Sequence, residues 1–544
     1  MNFRFIGRLA AGAAVIGTAY MLFLYMAGTS TDSDAVRWPH SQVVLTVFAT
    51  PPAEVEDIAT NAFTRHLEQR LNIRFQFVQV SAEAQRERKA ALLAGGDGPD
   101  VFLTGNLTPD EQIRYGMQGK LRPLNALIDR YAPEIRQRFA DNPQLKKSIT
   151  APDGNIYALP SVNECFHCWY SQKLWINAEW LERLGLTVPQ STDELYRVLQ
   201  AFKLQDPNGN GKADEVPLTG AADGWRADVT AFLMSAFIYY NGEDYFVIEN
   251  GKVSLSAIRP EWRDGLSYIR RLFREGLIDP AAFTQTVDGM VQLARSPEAN
   301  RIGSLTAGHI RMAFAGPAET RHQAYITVPP LTGPDGYSAA GYFNRGEYGQ
   351  FAITNKASEE EAEAAIRLAD YLYGEEAAVL NEFGPENLWW RRGAPGEQDE
   401  HGRPARYAVR PEFWEVSVQN EGWSQMGILY RSRDYRESWA VPDDPYSLAG
   451  YEHRLYTETK LHYEGREPAE VMPLHLFMEP EAAAEAERLR TSIHGAVRDA
   501  TVAFITGHRR LETEWDAYVR EIKELKADRF IELYQTAYDD YRAR

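Results

Sequence analysis

The sequence predicts an α/β protein built from two or more domains, for three reasons. Strand patterns occur at Val43–Ala49, Ile73–Val80 and Val101–Leu103, where apolar residues are continuous or alternate. Helical spacing separates these strands, between Pro51 and Asn72 and again over Ala82–Ala94. A strand–helix–strand succession at this spacing predicts mostly parallel sheets covered by helices. The chain has 544 residues, more than a single hydrophobic core serves, so more than one domain is expected.

The charge balance argues against one class of partner. The chain carries 58 Lys and Arg against 76 Asp and Glu, a net charge of −18, and it has no long basic run. Proteins that bind nucleic acid neutralise phosphates with clustered positive side chains. We therefore expect no nucleic-acid partner.

Residues 1–28 have the character of an export segment. Arg4 and Arg8 precede an apolar run from Leu9 to Gly28, and a basic start followed by such a run is typical of a signal peptide. The run is also about as long as a membrane span requires, so a cleaved signal peptide and a retained membrane anchor both remain open. No cysteine comes directly after it, which excludes a lipoprotein anchor at that point. We expect a periplasmic or extracellular protein, cleaved free or anchored to the cytoplasmic membrane.

The two cysteines, Cys165 and Cys168, lie in the sequence Glu-Cys-Phe-His-Cys. In an exported chain a single C-x-x-C pair favours a small local disulfide. A zinc site is the alternative, and it would need two further ligands, of which His167 could supply one. Redox catalysis is disfavoured because nothing nearby indicates a thioredoxin-like unit.

The stretch from Ser191 to Pro217 predicts a helix followed by a calcium loop. Ser191 and Glu194 have the spacing of a capping box. The helix that they begin carries a single apolar stripe, formed by Leu195, Val198, Leu199 and Phe202.

The loop after this helix matches the D-x-N-x-N-G opening of a calcium site, in which hard oxygen ligands converge on a hard cation. The expected ligands are Asp206, Asn208, Asn210, the backbone carbonyl of Lys212, Asp214 and Glu215. A standard EF-hand has a bidentate Glu at position twelve, where this chain has Pro217, so Glu215 would have to close the site. A solvated Asn-Gly turn is the alternative. We expect a structural Ca²⁺ ion.

Several segments together resemble the extracellular solute-binding proteins of ABC importers, of the lipoprotein A type that includes the calcium-containing alginate-oligosaccharide-binding proteins. The calcium loop DPNGNGKADE and the preceding Trp175–Gln190 carry this resemblance. Further matching pieces follow in the family's order: Ala94–Phe102, Ala151–Pro160, Pro329–Gly336 and the tail Phe504–Tyr541. They cover nearly the whole chain after residue 40.

The resemblance implies a two-lobed fold of the type II periplasmic-binding-protein kind, with a hinge between the lobes. We expect residues 40–160 and about 306–350 in lobe 1, and about 165–305 and 355–544 in lobe 2 with the calcium loop 206–215. It also implies a monomer that captures an oligosaccharide in the cleft and delivers it to permease subunits of an ABC transporter.

Ligand-binding candidates are aromatic and arginine side chains near the expected crossings between the lobes, because indoles stack on sugars and Arg pairs with carboxylates. Each is a packing residue in the competing interpretation. The adjacent Arg391 and Arg392 favour an acidic oligosaccharide. The candidates are Trp225, Tyr342, Arg345, Trp389, Trp390, Arg391 and Trp423.

An exported carbohydrate-active enzyme, a glycosidase or a lyase with a structural calcium site, is the alternative function. Such an enzyme needs two carboxylates facing each other across a sugar, and 76 Asp and Glu make such a pair easy to imagine without giving it weight. The sequence has no G-x-S-x-G elbow and no H-E-x-x-H helix. Binding without turnover is therefore the preferred function, with no catalytic residues assigned.

Overall fold

The computed structural model describes residues 41–95, 98–295, 300–314, 316, 319–343 and 347–544. The segment Met1–Gly28, expected to direct export, lies outside these residues. Within the described part of the chain, no helix combines the length and the apolar character that crossing a bilayer requires. Residues Val44–Arg544 form one unit, which contains both sheets described below.

The strands are short and alternate with helices along most of the chain. Their bounds are β1 Val43–Ala49, β2 Ile73–Gln79, β3 Val101–Phe102, β4 Leu159–Pro160, β5 Val162–Asn163, β6 Leu174–Asn177, β7 Phe246–Glu249, β8 Lys252–Leu255, β9 Ser304–Thr306, β10 Tyr325–Val328, β11 Gly349–Ile353, β12 Trp390–Arg392, β13 Tyr407–Val409 and β14 Tyr430–Arg431.

The helices become longer towards the C-terminus. Their bounds are α1 Ala62–Leu71, α2 Gln85–Gly95, α3 Pro109–Met117, α4 Asn125–Tyr131, α5 Pro133–Asp141, α6 Pro143–Ile149, α7 Phe166–Trp169, α8 Ala178–Leu184, α9 Thr192–Leu204, α10 Val229–Met234, α11 Pro260–Arg274, α12 Val287–Ala294, α13 Glu359–Leu372, α14 Glu375–Phe383, α15 Arg433–Arg436, α16 Tyr451–His462, α17 Pro480–Thr506, α18 Leu511–Glu524 and α19 Ala527–Ala543.

The first sheet has the strand order β2–β1–β3–β11–β4. β1 and β3 are parallel, with Val47 opposite Val101. β11 is antiparallel to both of its neighbours. The strands expected near residues 43, 73 and 101 are therefore present, and the helices α1 and α2 connect them as the sequence pattern predicts.

The second sheet, β10–β6–β9, is antiparallel on both sides of β6, which departs from the expected mostly parallel arrangement. More than a hundred residues separate β6 from β9, and they include the calcium loop and α11. A right-handed helical crossover imposes a parallel return, whereas an excursion of this length allows a strand to return in either direction.

The strand pairing also moves the expected lobe boundaries. β10 pairs with β6 of the second sheet, although residues from about 306 were expected in lobe 1. The chain returns to the first sheet only at β11. Helix α13 then packs on the first lobe, where the backbone N–H of Ile135 donates to Asp370 at 2.9 Å and Arg122 pairs with Glu359 at 2.6 Å. This helix therefore lies outside the lobe expected for residues 355–544, because it directly follows a strand of the first sheet.

The C-terminal helices share one buried core with the second sheet. One continuous buried cluster joins β6 to α9 and α11 and extends into α17, α18 and α19. Phe504, Trp515 and Phe530 are among its members. This core fixes α17 beside the second sheet, and α17 also contacts α3 of the first lobe. The two lobes therefore approach each other along these two helices.

Candidate functional site

A cleft of about 1040 Å³ lies between α2 and α3 on one side and α17 and α19 on the other. We call it the interlobe cleft, and its lining includes residues from 85–89, 106–114, 243–246, 472–478 and 483–494, with Tyr348 and Tyr534. In α/β folds, ligands bind in crevices beyond the carboxyl ends of parallel strands, and residues 106–114 follow β3 at that end. The volume is at the upper end of the range for small-molecule pockets.

Two polar atoms in this lining, one from each lobe, have no hydrogen-bond partner among the described residues. They are Nε of Arg114, on the last turn of α3, and Nε2 of His494, on α17. Buried polar groups are normally hydrogen-bonded, so unpartnered ones in a cleft indicate a ligand or ordered water. Burial lowers the pKa of His494 to about 4, so its imidazole is neutral at physiological pH. The lining of the cleft thus includes a guanidinium and a neutral imidazole whose buried nitrogens are not satisfied by the described residues.

Most carboxylates of the cleft are already paired with cations. Glu111 lies 2.7 Å from Lys89, and Glu487 lies 2.8 Å from Arg490. The hydrogen bond from Arg490 holds the pKa of Glu487 below its usual range. A general acid needs the opposite shift, towards neutral pH. These carboxylates therefore shape and neutralise the cleft.

Two of the predicted ligand-binding residues are core residues, which corrects their assignment. Trp423 is 0% exposed and donates its indole N–H to Thr64 Oγ1 at 2.8 Å. Trp390 is 4% exposed and donates to the carbonyl of Gly384 at 2.8 Å. Both indoles have their polar atom satisfied inside the protein, so neither presents a face to a ligand.

Trp389 and Arg391 are also engaged within the protein. Trp389 is half-buried and packs beside Phe413 at a centroid distance of 6.3 Å. Arg391 makes a bidentate pair with Glu397, at 2.5 and 2.7 Å. Neither lines the interlobe cleft. Of the two arginines that favoured an acidic ligand, Arg391 is thus compensated by Glu397, and Arg392 lies 4.0 Å from Glu386.

Trp225 and Tyr342 lie outside the cleft lining. Trp225 is 43% exposed and packs beside His309 at 5.9 Å between ring centroids. Tyr342 forms an aromatic group with Trp169 and Tyr170, at 6.3 and 5.1 Å. Arg345 lies outside the described residues. None of the described candidates therefore contributes to the interlobe cleft.

The residues that do line the cleft were missed by sequence reasoning. Arg114 and His494 are 380 positions apart, and each lies on an ordinary amphipathic helix. No local motif joins two such positions. The family resemblance predicts that a cleft exists, but only the packing of α17 against α3 identifies its walls.

The predicted calcium loop has the local structure that its sequence implies. Helix α9 begins after Ser191, whose hydroxyl accepts from the N–H of Glu194, although Glu194 in turn accepts from Gln190 rather than closing the expected capping box. All four residues of the predicted apolar stripe are buried. The loop therefore starts from a helix fixed in the core.

The loop curls around its own carboxylates and amides. Both oxygens of Asp206 accept backbone N–H groups, from Asn210 at 3.1 Å and Gly211 at 3.0 Å. The left-handed backbone of Gly211, with φ 73°, allows the sharp turn. Asp214 accepts from the side-chain amides of Asn208 and Asn210 at 3.2 and 3.0 Å. Four of the six predicted ligands thus form one hydrogen-bonded ring.

The residues of the loop fit a divalent cation. Oε1 of Glu215 is buried and accepts no hydrogen bond within the described part of the chain. Burial raises the pKa of Glu215, and the nearby charges of Asp206 and Asp214 raise it further. A buried, unpartnered carboxylate oxygen beside two other carboxylates is stabilised by a cation with oxygen ligands. The site is anchored to the second sheet, because Val216 pairs with Ile302 next to β9.

Cys165 and Cys168 are joined through their sulfurs in the structure, with their Cα atoms 5.2 Å apart. Cys165 precedes α7 and lies just after β5, where the chain passes from the first sheet to the second. His167 is buried between them, with Nε2 at 3.4 Å from Cys165 Sγ. Burial lowers the pKa of His167 to about 4.

Comparisons with known proteins agree with this fold along the whole chain. The chain is 24% identical over 557 residues to the fructooligosaccharide ABC transporter substrate-binding protein FusA of Streptococcus pneumoniae, covering 98% of each sequence. It is 28% identical over 264 residues to the lipoprotein LipO of Bacillus subtilis, covering 45% of this chain and 50% of LipO. No protein-family model matches the chain.

Solved structures also resemble the chain over most of its length. An extracellular solute-binding protein from Bifidobacterium longum subsp. infantis superposes with a TM-score of 0.76 at 23% identity, over 92% of this chain and 98% of the other. An EF-hand mutant of FusA in complex with fructo-nystose gives 0.72 at 23% identity, over 92% and 99%. The alginate-binding protein AlgQ2 without calcium ion gives 0.64 at 23% identity, over 93% and 99%.

The molecule has the two-lobed α/β fold of extracellular solute-binding proteins, which confirms the predicted fold class. The predicted resemblance to the substrate-binding proteins of ABC importers is also confirmed, and FusA is a relative that matches it from end to end.

Proposed function

We propose that this protein is the substrate-binding component of an ABC importer and captures an oligosaccharide in the interlobe cleft. Its end-to-end similarity to a fructooligosaccharide-binding protein supports this function. The observation that carries it is the pair of unpartnered polar atoms, Arg114 Nε and His494 Nε2, which no other described residue satisfies and which come from opposite lobes. A ligand that contacts both groups stabilises the closed arrangement, and this differential affinity shifts the population towards it.

The ligand class follows from the cleft. Neutral sugars present many hydroxyls, each a donor and an acceptor, which suit a neutral imidazole and a guanidinium. Glu111 and Glu487 in the cleft are paired with cations, and Arg391, one of the two arginines that favoured an acidic ligand, is held by Glu397. We therefore favour a neutral oligosaccharide over a uronate.

Capture without chemical change is preferred to the enzyme alternative. Glycoside hydrolysis requires one carboxyl kept protonated near neutral pH and a second one facing it. In this cleft the pKa of Glu487 is lowered by Arg490, and Glu111 is tied to Lys89. The hydrogen bond from Arg490 stabilises the charged form of Glu487 and opposes proton donation by it.

The loop 206–215 is proposed to bind one structural Ca²⁺ ion. Asp206, Asn208, Asn210, Asp214 and Glu215 would supply side-chain oxygens, and Lys212 its backbone carbonyl. The buried Glu215 oxygen that accepts no bond from the described residues supports this assignment. The ion would neutralise the three carboxylates and hold the loop against the second sheet.

Export and docking complete the proposed role. The protein would act outside the cytoplasmic membrane, delivering its ligand as a monomer to the permease subunits of the importer. Met1–Gly28 would direct export, either cleaved or retained as an anchor. The relative LipO is a lipoprotein. This chain has no cysteine near that segment, so a lipid anchor of that kind is not part of the proposal.

The lobe boundaries are proposed from the packing. The first lobe would hold residues 44–160 with β11 and α13, and the second would hold β6 to β10 together with the C-terminal helices from α16 onward. Calorimetric titration with fructooligosaccharides, other neutral oligosaccharides and oligouronates tests the proposed function. We expect saturable one-to-one binding of a neutral oligosaccharide. Uronate preference would overturn the ligand class, and no binding in any arm would overturn the function.

A further inference from the structure

Three potential zinc ligands lie together where the chain passes from the first sheet to the second, and a fourth lies beside one of them. Cys165, His167 and Cys168 place one donor atom each within 4.8 Å of the other two. Glu452, from α16, adds a carboxylate whose Oε2 lies 3.6 Å from His167 Nε2. Two sulfurs, one imidazole nitrogen and one carboxylate oxygen form a donor set that suits zinc.

Two of the donor spacings fall in the range of a tetrahedral shell. Zinc–sulfur bonds of about 2.3 Å and zinc–nitrogen bonds of about 2.0 Å, at tetrahedral angles, put neighbouring ligand atoms about 3.3–3.8 Å apart. His167 Nε2 lies 3.4 Å from Cys165 Sγ and 3.6 Å from Glu452 Oε2. The two sulfurs are bonded to each other and are closer than a shell allows, and Glu452 would have to move to complete a shell with both sulfurs.

The surrounding charge also suits a zinc thiolate site. Two thiolates and one carboxylate exceed the charge of Zn²⁺ by one negative unit, and Arg436 supplies the compensating positive charge. Its Nη2 lies 2.5 Å from Glu452 Oε2 and 3.6 Å from Cys165 Sγ. Outer hydrogen bonds of this kind orient metal ligands and stabilise their charged forms.

We propose that Cys165, His167, Cys168 and Glu452 form a zinc site when the Cys165–Cys168 disulfide is reduced. A dithiol reductant supplies the two electrons and two protons and is itself oxidised to a disulfide. Cys168 is half-buried and Cys165 is buried, so the reductant attacks Cys168 Sγ and Cys165 leaves as the thiolate. Zinc then displaces the two thiol protons.

The site would make the crossing segment respond to its redox environment. In the oxidised protein the sulfurs hold α7 in a local loop, and Glu452 remains paired with Arg436. In the reduced protein zinc would connect α7 directly to α16. Metal binding would thus replace the Cys165–Cys168 bond, which lies within the segment between the two sheets, by metal–ligand bonds that connect two helices.

Cobalt and zinc titrations of the whole protein test this site, with calcium in excess so that the loop 206–215 is filled. The reductant is a phosphine, which leaves no competing thiol. We expect reduced protein to bind one zinc ion at least about a hundredfold more tightly than oxidised protein, and cobalt to produce a thiolate-to-metal absorption band. Equal affinity in the two redox states, or a cobalt spectrum without thiolate character, would overturn the proposal.

Two variants test the ligand set. We expect Cys168→Ser to abolish the difference between the redox states, and Glu452→Gln to weaken zinc binding about tenfold or more while keeping the thiolate band. Glu481→Gln, at an exposed position on α17, is the matched control and should change nothing. An unchanged affinity in Glu452→Gln would overturn the four-ligand site. The comparison of redox states in the wild type needs no variant, so a folding defect in either variant leaves the test intact.

Discussion

The side-chain amide of Asn210 donates to Asp214 across the calcium loop, with 3.0 Å between Nδ2 and Oδ1. This hydrogen bond lowers the pKa of Asp214, and the amide oxygen of Asn210 accepts from the N–H of Lys212 at 2.8 Å. The loop is thus closed by its own polar groups before any metal is considered. A cation would add attraction at the Glu215 end, where burial opposes the charge.

Calcium removal should destabilise the protein. Calcium at one hundred times its dissociation constant stabilises the folded state by about 2.7 kcal/mol. We expect chelation to lower the melting temperature, and Asp206→Ala to lower it without further response to chelator. The exposed variant Asp335→Ala should behave as wild type. A wild-type melting temperature that changes neither on adding calcium nor on adding chelator would contradict the calcium site.

Calcium affinity should fall as the pH is lowered from 7 to about 5. Calcium binds the ionised carboxylate, and burial raises the pKa of Glu215, so protons compete with the ion at a higher pH than at an ordinary Glu. Titrations at both pH values measure this effect. In Glu215→Gln the affinity should be lower at pH 7 and its pH dependence should be smaller.

The calcium-free protein should show the reverse effect on stability. Because the folded-state pKa of Glu215 is raised, its ionisation costs stability above that pKa, and the cost disappears as the pH falls through it. Glu215→Gln should therefore be more stable than wild type at pH 7 without calcium, with a difference that shrinks towards pH 5. A difference that is constant with pH would contradict this assignment.

Both walls of the cleft should contribute to affinity. Arg114→Met removes the guanidinium but keeps the stem, and should weaken oligosaccharide binding by about 1.5–3 kcal/mol. His494→Phe keeps the ring that packs on Tyr245 at 5.0 Å, and should cost about 0.5–1.5 kcal/mol. Arg130→Met and His508→Phe, at exposed positions outside the cleft lining, are the matched controls. Unchanged calorimetric affinity in both cleft variants would place the ligand elsewhere.

Trp389 should matter for stability and not for binding. It packs on Phe413 and is half-buried, so Trp389→Ala should lower the free energy of unfolding by about 1–3 kcal/mol, less than the 3–5 kcal/mol typical of a fully buried Trp. Denaturant unfolding measures this loss. The dissociation constant of the oligosaccharide should stay within about twofold of wild type. A large loss of affinity with unchanged stability would instead indicate that Trp389 contacts the ligand.

Local features of this protein are predictable from sequence, and long-range ones are not. The loop 206–215 can be assigned a calcium-binding pattern from sequence because its determinants lie within ten residues, from Asp206 to Glu215, and the bound ion stays a prediction. The strands β1 and β2 were likewise predicted by periodicity. Trp390 and Trp423 were misassigned because a buried indole and a ligand-stacking indole look alike in sequence. Arg114 and His494 were missed because their proximity depends on how α17 packs against the first lobe.

The boundaries between the lobes likewise depend on long-range packing that the sequence pattern does not contain. β10 joined the second sheet, and α13 the first, because pairing and packing partners far along the chain decide where a segment lies. The periodicity of Tyr325–Val328, or of the α13 sequence, predicts that one face of the element is buried. It does not predict which sheet covers that face.

Capture of an unchanged oligosaccharide is tested most directly by one measurement. The protein is titrated calorimetrically with its tightest-binding neutral oligosaccharide in calcium, and the ligand recovered after prolonged incubation is analysed by mass spectrometry. We predict saturable one-to-one binding, weakened by Arg114→Met, and recovery of the ligand at its original mass. Shortened or unsaturated products that accumulate at a rate proportional to protein concentration would contradict the account.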